Sequence, residues 1–351
     1  MEHGGNIWQL SAPVLDFSAS LHPLGMPPEV AEAAQRGVLD AVHYPDPDCT
    51  ALRSAISQRE GIAAGQIVCG NGAAELLDRI MLTLRPRKAL LPVPTFGEYE
   101  RSLAVRDCKV EQYYTSPEAY FALQRDFCDQ ITSDVDIVIL CNPNNPTGQL
   151  IPGTQLRSIL HQCEQANAFL LVDESFLDWV DSAQRPDLVQ GLQDHPKLLL
   201  LRSMTKSYCM PGLRLGYLLS GDVALCENLR GCGQPWSVSV PAQYAGVAAM
   251  SCPDWVERGR TIVAEQRRIL SNSLRSLGFR VWDSTANYLL FRWPGHTTLR
   301  EDLLPYGLLI RSCADFSGLG ADYYRIAIRT ASENQQLLRA LQELCQKEAP
   351  F

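Results

Sequence analysis

The chain has 351 residues, 46% of them hydrophobic and 20% charged, with a formal net charge of −8. That length can bury one large core or two modest ones. The acidic balance argues against a nucleic-acid or anionic-membrane partner and leaves room for a local basic pocket that takes a small anion. No apolar run reaches the length of a membrane span, and MEHGGNIWQL lacks the basic and apolar regions of a secretory signal, so a cytoplasmic protein is expected. The twelve cysteines are scattered without metal-ligand spacing. They suit reduced, buried, small apolar side chains better than a disulfide framework or a metal site.

In chain order, residues 1 to about 40 look irregular, with Pro and Gly clustered in HPLGMPP, and a helix is expected over PEVAEAAQRGVLDAV. A second helix, opened by prolines, is expected in YPDPDCTALRSAISQREG. IVCGNGAAELLDRIMLTL reads as strand, tight Gly turn and helix. KALLPVP, VDIVILCNP, AFLLVDES and LLLLRSM are short, continuous apolar runs with polar or Pro/Gly ends, and GTQLRSILHQCEQAN between them is helical. Strands buried on both faces with intervening helices imply a mainly parallel α/β sheet. After about residue 245 a long helix, DWVERGRTIVAEQRRILSNSLRSLG, precedes three strands (FRVWDS, ANYLLFRW, YYRIAIRT) and a closing helix, SENQQLLRALQELCQKE. The expected organisation is an N-terminal arm over 1–40 that packs with the small domain, a large domain over 41–245 and a smaller α+β domain over 246–351.

In open parallel sheets, ligands bind beyond the carboxyl ends of the strands. Asn71, Asn142 to Asn145, Asp173 and Ser203 to Lys206 stand at such ends. The turn GNGAAELL leaves the N–H groups of Ala73 and Ala74 free to receive a phosphate, though an ordinary strand-to-helix turn would look the same. In ILCNPNNPTG, two X-Pro pairs and a Gly make a rigid turn that would hold the Asn145 amide where it could donate to a phenolate oxygen. Asp173, ending LLVDESF, is costly to bury without a cation. A protonated pyridine nitrogen would serve, and so would an arginine. Lys206, in SMTKSYCMPGLRLGY, sits where desolvation and neighbouring charge would lower its pKa and suit it to Schiff-base chemistry. Ser203, Thr205 and Arg214 would serve the same phosphate as the Gly turn.

The order of these features is Gly turn, aromatic (PTFGEY), NPTG, Asp, Ser-x-Thr-Lys and Arg. It resembles the fold type I pyridoxal-phosphate enzymes of the aspartate aminotransferase superfamily, over nearly the whole chain. The resemblance implies a large domain with a mainly parallel seven-stranded sheet sandwiched by helices, a smaller α+β C-terminal domain, and pyridoxal 5′-phosphate as cofactor. It implies Lys206 as the lysine on the cofactor aldehyde, Asp173 as the partner of the pyridinium, Asn145 opposite O3′ and Phe96 stacked on the ring. Ala73, Ala74, Ser203, Thr205 and Arg214 would form the phosphate cup. Tyr44, in HYPDP, is similar to a tyrosine that reaches the phosphate of a neighbouring subunit, which implies a homodimer with shared active sites. Arg325, in YYRIAIRT, matches an arginine that binds the substrate carboxylate.

Two branches of the superfamily compete: the histidinol-phosphate aminotransferases, which share YPDP and NPNNPTG, and the L-threonine-O-3-phosphate decarboxylases of cobalamin biosynthesis. HGGN and DFSAS-x-HPLG are similar to the second pattern. Phe176 stands where aminotransferases usually carry a tyrosine, and Arg329 where the histidinol-phosphate enzymes usually have a glycine. His3, Arg325 and Arg329 near one substrate could hold a carboxylate and a phosphate together. Ser20 and His22 occupy positions where the decarboxylase pattern has asparagines, on a segment expected to line the substrate side. The expected function is decarboxylation of an O-phosphorylated amino acid, with histidinol-phosphate-type transamination as the alternative.

Overall fold

The computed structural model describes residues 3–348. Its strands are β1 (Leu15–Asp16), β2 (Ile67–Gly70), β3 (Lys88–Val93), β4 (Lys109–Tyr114), β5 (Ile137–Cys141), β6 (Phe169–Asp173), β7 (Leu198–Ser203) and β8 (Gly216–Ser220), followed by β9 (Arg280–Val281), β10 (Tyr288–Arg292), β11 (Leu308–Leu309), β12 (Arg311–Ser312) and β13 (Tyr323–Ala327). Seven of them form the central sheet in the order β2-β8-β7-β6-β5-β3-β4. All its pairings are parallel except those of β8, which runs against both β2 and β7. The apolar runs explain this sheet: every residue of β2, β5 and β8 is buried, so neither face can be wet.

Two helical layers cover it. Helices Pro28–Leu39, Thr50–Glu60, Gly153–Gln165 and Val240–Met250 pack on one face through Val30, Leu52, Ile56, Leu156 and Ala245. Helices Ala73–Leu84, Glu98–Ala104 and Val223–Cys232 cover the other through Leu76, Ile80, Tyr99 and Leu229. Gly37 lets the first helix lie against Val240–Met250, because a Cβ there would stand 2.6 Å from the Pro241 Cα.

The C-terminal part builds an antiparallel sheet in the order β12-β13-β10-β9. The long helix Pro253–Ser276 and the closing helix Ala331–Glu348 pack with it around Val263, Leu270, Phe291, Ile326 and Leu341. The segment before the first helix joins this unit. β1 pairs in parallel with β11, Phe17 lies in the same core, and the Ala327 N–H donates to the Phe17 carbonyl at 2.8 Å.

The expected fold class stands, with shifts at the edges. The first helix ends at Leu39, and the second starts at Thr50, after the prolines instead of at them. β4 and β8 were not read as strands. β4 is an edge strand of mostly half-exposed residues, KVEQYY, without a continuous apolar run. β8 is a five-residue piece immediately behind the lysine motif.

Candidate functional site

A pocket of about 340 Å³ opens beyond the carboxyl ends of β5, β6 and β7, and Lys206 stands in its wall. The strand ends deliver Asn145, Asp173 and Ser203 to it, and the start of helix Ala73–Leu84 delivers Ala73 and Ala74. Phe96, Thr205, Arg214, Arg325, His3 and Ser20 complete the part anticipated from sequence.

One end of the pocket suits an anion. Helix Ala73–Leu84 begins after Gly72, whose φ of 82° requires glycine. A Cβ on Gly72 would stand 2.6 Å from an Arg214 Nη, so the missing side chain lets this guanidinium lie across the turn. Gly216 plays a similar part, since a Cβ there would come within 2.7 Å of the Ala73 nitrogen. Arg214 is exposed and forms no ion pair among the described residues, donating only a long 3.4 Å bond to the Pro211 carbonyl. Ser203 caps the short turn Met204–Ser207 by accepting from the Thr205 N–H at 3.3 Å. Free N–H groups, hydroxyls and an unpaired guanidinium at one helix start could hold a phosphate.

The other end suits a cation. Asp173 is 5% exposed. Its Oδ2 accepts from the Tyr99 hydroxyl at 2.6 Å and its Oδ1 from the Ser175 N–H at 2.9 Å. Among the described residues no arginine or lysine pairs with it, which removes the structural ion pair left open by the sequence. Burial raises its pKa above the ordinary carboxylate value, while the bonds from Ser175 and Tyr99 oppose that. Tyr99 was not singled out from sequence, although it lies within the quoted PTFGEY, three residues after Phe96. Its ring meets Phe96 edge-on, with centroids 5.6 Å apart.

The asparagines divide their work. Asn142 bonds the main chain of Ile151 through both side-chain atoms, at 2.7 and 3.3 Å. Asn144 is bound to Thr95, Pro94 and Thr147. Both hold the turn. Asn145 faces the pocket with its Oδ1 taken by Arg325 Nη1, which leaves Nδ2 as a donor. The second Nη of Arg325 donates to the Ser18 carbonyl at 2.9 Å.

Lys206 is half-buried, and no ion pair or hydrogen bond holds its Nζ among the described residues. Burial first, then the positive charges of Arg325 and Arg214, push its pKa from 10.5 down to about 8. The Phe176 ring lies 6.0 Å from Nζ and packs edge-on against Tyr288. Behind the lysine segment, Arg202 pins the end of β7. Its Nη1 bonds both Glu60 oxygens at 2.7 and 2.8 Å and its Nε bonds Glu174 at 2.9 Å, while Ser207 donates to Asp178 at 2.6 Å. This buried network went unread, because residues far apart in sequence supply it.

Three anticipated residues stand outside the pocket. His22 is 3% exposed, lies against Trp179 and Trp255, donates from Nε2 to the Trp255 carbonyl and accepts the Leu24 N–H at Nδ1. Burial lowers its pKa to about 4, so it is a neutral core residue and not a substrate ligand. Arg329 points the other way along the chain: it donates to the Asp16 carbonyl at 3.0 Å, pairs with Glu333 at 2.7 Å and lies over Phe17. The second arginine in the wall is Arg311, which stands opposite Arg325 in the β12–β13 register and is held by Asp315 at 2.8 and 3.0 Å. Its place was not legible, since β12 is two residues long. Tyr44 is 79% exposed and stacks on Trp236 with centroids 4.6 Å apart, away from this chain's own pocket.

The N-terminal HGGN stretch closes on the mouth of the pocket. His3 Nε2 lies 3.1 Å from Glu98 Oε1, and the Gly5 N–H donates to Ser18 Oγ at 2.8 Å. A Cβ on Gly4 would meet the Ser18 carbonyl oxygen at 2.2 Å, so glycine is what lets the segment lie so close.

Comparison with known proteins agrees with this geometry. Residues 12–342 match the family Aminotransferase class I and II. The chain is 36% identical over 357 residues to threonine-phosphate decarboxylase of Salmonella typhimurium, covering 99% of this chain and 98% of that one. It is 29% identical to histidinol-phosphate aminotransferase of Methanosarcina mazei, covering 94% and 88%. The crystal structure of histidinol-phosphate aminotransferase from Clostridium acetobutylicum superposes with a TM-score of 0.87 at 27% identity, over 95% of this chain and all of that one. A pocket with a phosphate site at one end, a cation-seeking carboxylate at the other and a depressed lysine between them has the chemistry these relatives share: the chain belongs to the class I and II aminotransferase family and is a fold type I pyridoxal-phosphate enzyme.

Proposed function

We propose that this enzyme decarboxylates an O-phosphorylated amino acid, converting L-threonine O-3-phosphate to (R)-1-amino-2-propanol O-2-phosphate in cobalamin biosynthesis. One observation carries this reading: beyond Arg214 at the helix start, the pocket wall holds two further arginines, Arg325 and Arg311, side by side on β13 and β12, with Asp315 holding Arg311. A substrate with both a carboxylate and a phosphate complements such a wall. The near full-length similarity to a threonine-phosphate decarboxylase supports the same choice.

The pocket residues fit pyridoxal phosphate. Ala73, Ala74, Ser203, Thr205 and Arg214 would hold its phosphate, Asp173 its ring nitrogen, Asn145 Nδ2 its phenolic oxygen, Phe96 its ring face and Lys206 its carbonyl carbon. When bound, the cofactor supplies an electron sink for the pair left at Cα when a bond there breaks. The chain decides which bond that is. Arg325 fixes the carboxylate and so the tilt of the substrate, Lys206 is the proton carrier within reach of Cα, and Phe176 offers no hydroxyl to the phenolic oxygen. The bonds from Ser175 and Tyr99 oppose the rise that burial imposes on the Asp173 pKa.

A histidinol-phosphate-type aminotransferase is the second reading, favoured by the Methanosarcina mazei relative and the Clostridium acetobutylicum structure. The two separate in one assay. With L-threonine O-3-phosphate, the holoenzyme should release carbon dioxide in step with the amino alcohol phosphate. Formation of glutamate from 2-oxoglutarate without gas would overturn the decarboxylase reading in favour of the transferase.

We also propose a homodimer in which Tyr44 serves the neighbouring site. Tyr44, Val42, Leu39 and Val38 are 79, 83, 77 and 62% exposed along one stretch, with Trp236 stacked beside it. A monomer rarely leaves such a patch open. Light scattering should give twice the 39.0 kDa chain mass, and Val42→Asp should shift the protein toward monomer. A monomeric holoenzyme would remove Tyr44 from the cofactor site.

Two predictions concern the cofactor groups. Because neighbouring charge and burial disfavour the Lys206 ammonium, its neutral amine appears above pH about 8 instead of above 10.5. Cofactor capture by the apoenzyme, followed by absorbance, should therefore speed up through pH about 8 and then level, and Lys206→Ala should abolish it. A rate still climbing past pH 10.5 would contradict the assignment. Asp173→Asn removes a buried carboxylate that has no cation in the apoenzyme, so apoenzyme unfolding in denaturant should be unchanged or shifted to higher denaturant. Turnover should fall about 100-fold or more, since breaking a buried ion pair costs roughly 3 kcal/mol or more. Unchanged turnover would rule out Asp173 as the ring partner.

A further inference from the structure

Two donor atoms of pocket-lining residues are closed off from solvent and have no hydrogen-bond partner: Ser20 Oγ and Arg325 Nε. Ser20 is 1% exposed and Arg325 6%. Each such orphan is costly, and a native fold keeps few of them without reason.

Both line the same pocket. Residues 17 and 18 are bonded to the β13 segment: the Ala327 N–H donates to the Phe17 carbonyl at 2.8 Å, and Arg325 Nη2 donates to the Ser18 carbonyl at 2.9 Å, two residues before Ser20. Arg325 Nη1 bonds Asn145 and Nη2 bonds Ser18, which leaves Nε as the guanidinium nitrogen without a partner. His22, the next polar residue on this segment, is turned into the core against Trp179 and Trp255. Ser20 is therefore the side chain of this stretch with hydrogen-bonding capacity left over.

We infer that Ser20 is a specificity-determining residue: its hydroxyl donates to the same substrate carboxylate that seats on the Nε edge of Arg325. The inference rests on the proposed reading that Arg325 takes the carboxylate, and it adds a third donor to that group. A carboxylate has lone pairs to spare beyond those one guanidinium edge engages. The class of ligand Ser20 selects is thus α-amino acids over the matching amines that lack the carboxylate.

Borohydride-reduced holoenzyme binds without turning over, so dissociation constants can be read from cofactor fluorescence. Ser20→Ala should weaken O-phospho-L-threonine about 10- to 100-fold, the range for a hydrogen bond to a charged group. It should leave 1-amino-2-propanol phosphate, which has no carboxylate, unchanged. In an Arg325→Gln background the Ser20→Ala loss should shrink, because the two donors share one anion. Apoenzyme unfolding should be unchanged or shifted to higher temperature, since an unpartnered hydroxyl is removed. Equal weakening of acid and amine, full multiplication of the two losses, or a drop in apoenzyme stability would each overturn the assignment. If the enzyme transfers amino groups instead of releasing carbon dioxide, the same contrast is read between glutamate and its decarboxylated amine, so failure of the decarboxylation assay leaves the Ser20 test intact.

Discussion

A carboxylate buried without a cation is the feature around which this enzyme is arranged. Asp173 ends a strand in the middle of the sheet, nearly buried at the pocket wall, and among the described residues its hydrogen bonds come from the Tyr99 hydroxyl and the Ser175 amide. Those two bonds keep the group ionisable against desolvation, but they do not neutralise it. The protein thus carries a charge deficit that a protonated ring nitrogen can fill. At the far end of the pocket the deficit is reversed, with Arg214 and the helix start awaiting an anion. A dipolar cofactor would be held in one orientation by ends of opposite sign.

Lys206 lies between these poles, and its chemistry follows from the same distribution of charge. Arg325 and Arg214 are positive neighbours of an ammonium that is also desolvated, so the neutral amine becomes accessible near physiological pH. The lysine can be placed so only because the segment carrying it is pinned from behind. Arg202, clasped by Glu60 and Glu174, fixes the strand end immediately before Ser203, and the Asp178–Ser207 bond fixes the residue after the lysine. Breaking such a buried ionic cluster leaves an uncompensated charge, so this arrangement resists displacement.

Much of this was legible in the sequence, and the exceptions have physical causes. Runs such as VDIVILC and FLLVD announce doubly covered strands because nothing polar interrupts them, and polar residues just beyond their ends mark the crevice. That reasoning brought Asn145, Asp173, Ser203 and Lys206 to one pocket. It worked less well where position depends on pairing between short, distant pieces. Arg311 enters the wall through a two-residue strand whose register with β13 no local pattern reveals. Arg329, two strand positions beyond Ala327, falls past the end of the pleat and turns to Asp16 and Glu333. His22 was expected at the substrate because it stands where the decarboxylase pattern has an asparagine. Its true neighbours, Trp179 and Trp255, come from the large sheet's loop and the long C-terminal helix. Asn142 and Asn144 could not be told apart from Asn145 by composition, since only the folded turn shows which amide is spent on backbone.

The segment before the first helix is tied to the pocket by what it is bonded to. Residues 15 to 18 are hydrogen-bonded to β11 and β13 of the C-terminal unit, and Ser18 in turn receives Arg325 and Gly5. Any movement of the C-terminal unit toward the cofactor would carry the anion-binding arginine, Ser20 and the HGGN stretch with it as one body. Their relative geometry would then be set by β-sheet pairing and not by flexible side chains. Under the proposed reading, the donors to the carboxylate stand on or beside the C-terminal unit, while the residues that would grip the cofactor stand on the large sheet, so rigidity matters at the level of the two backbones.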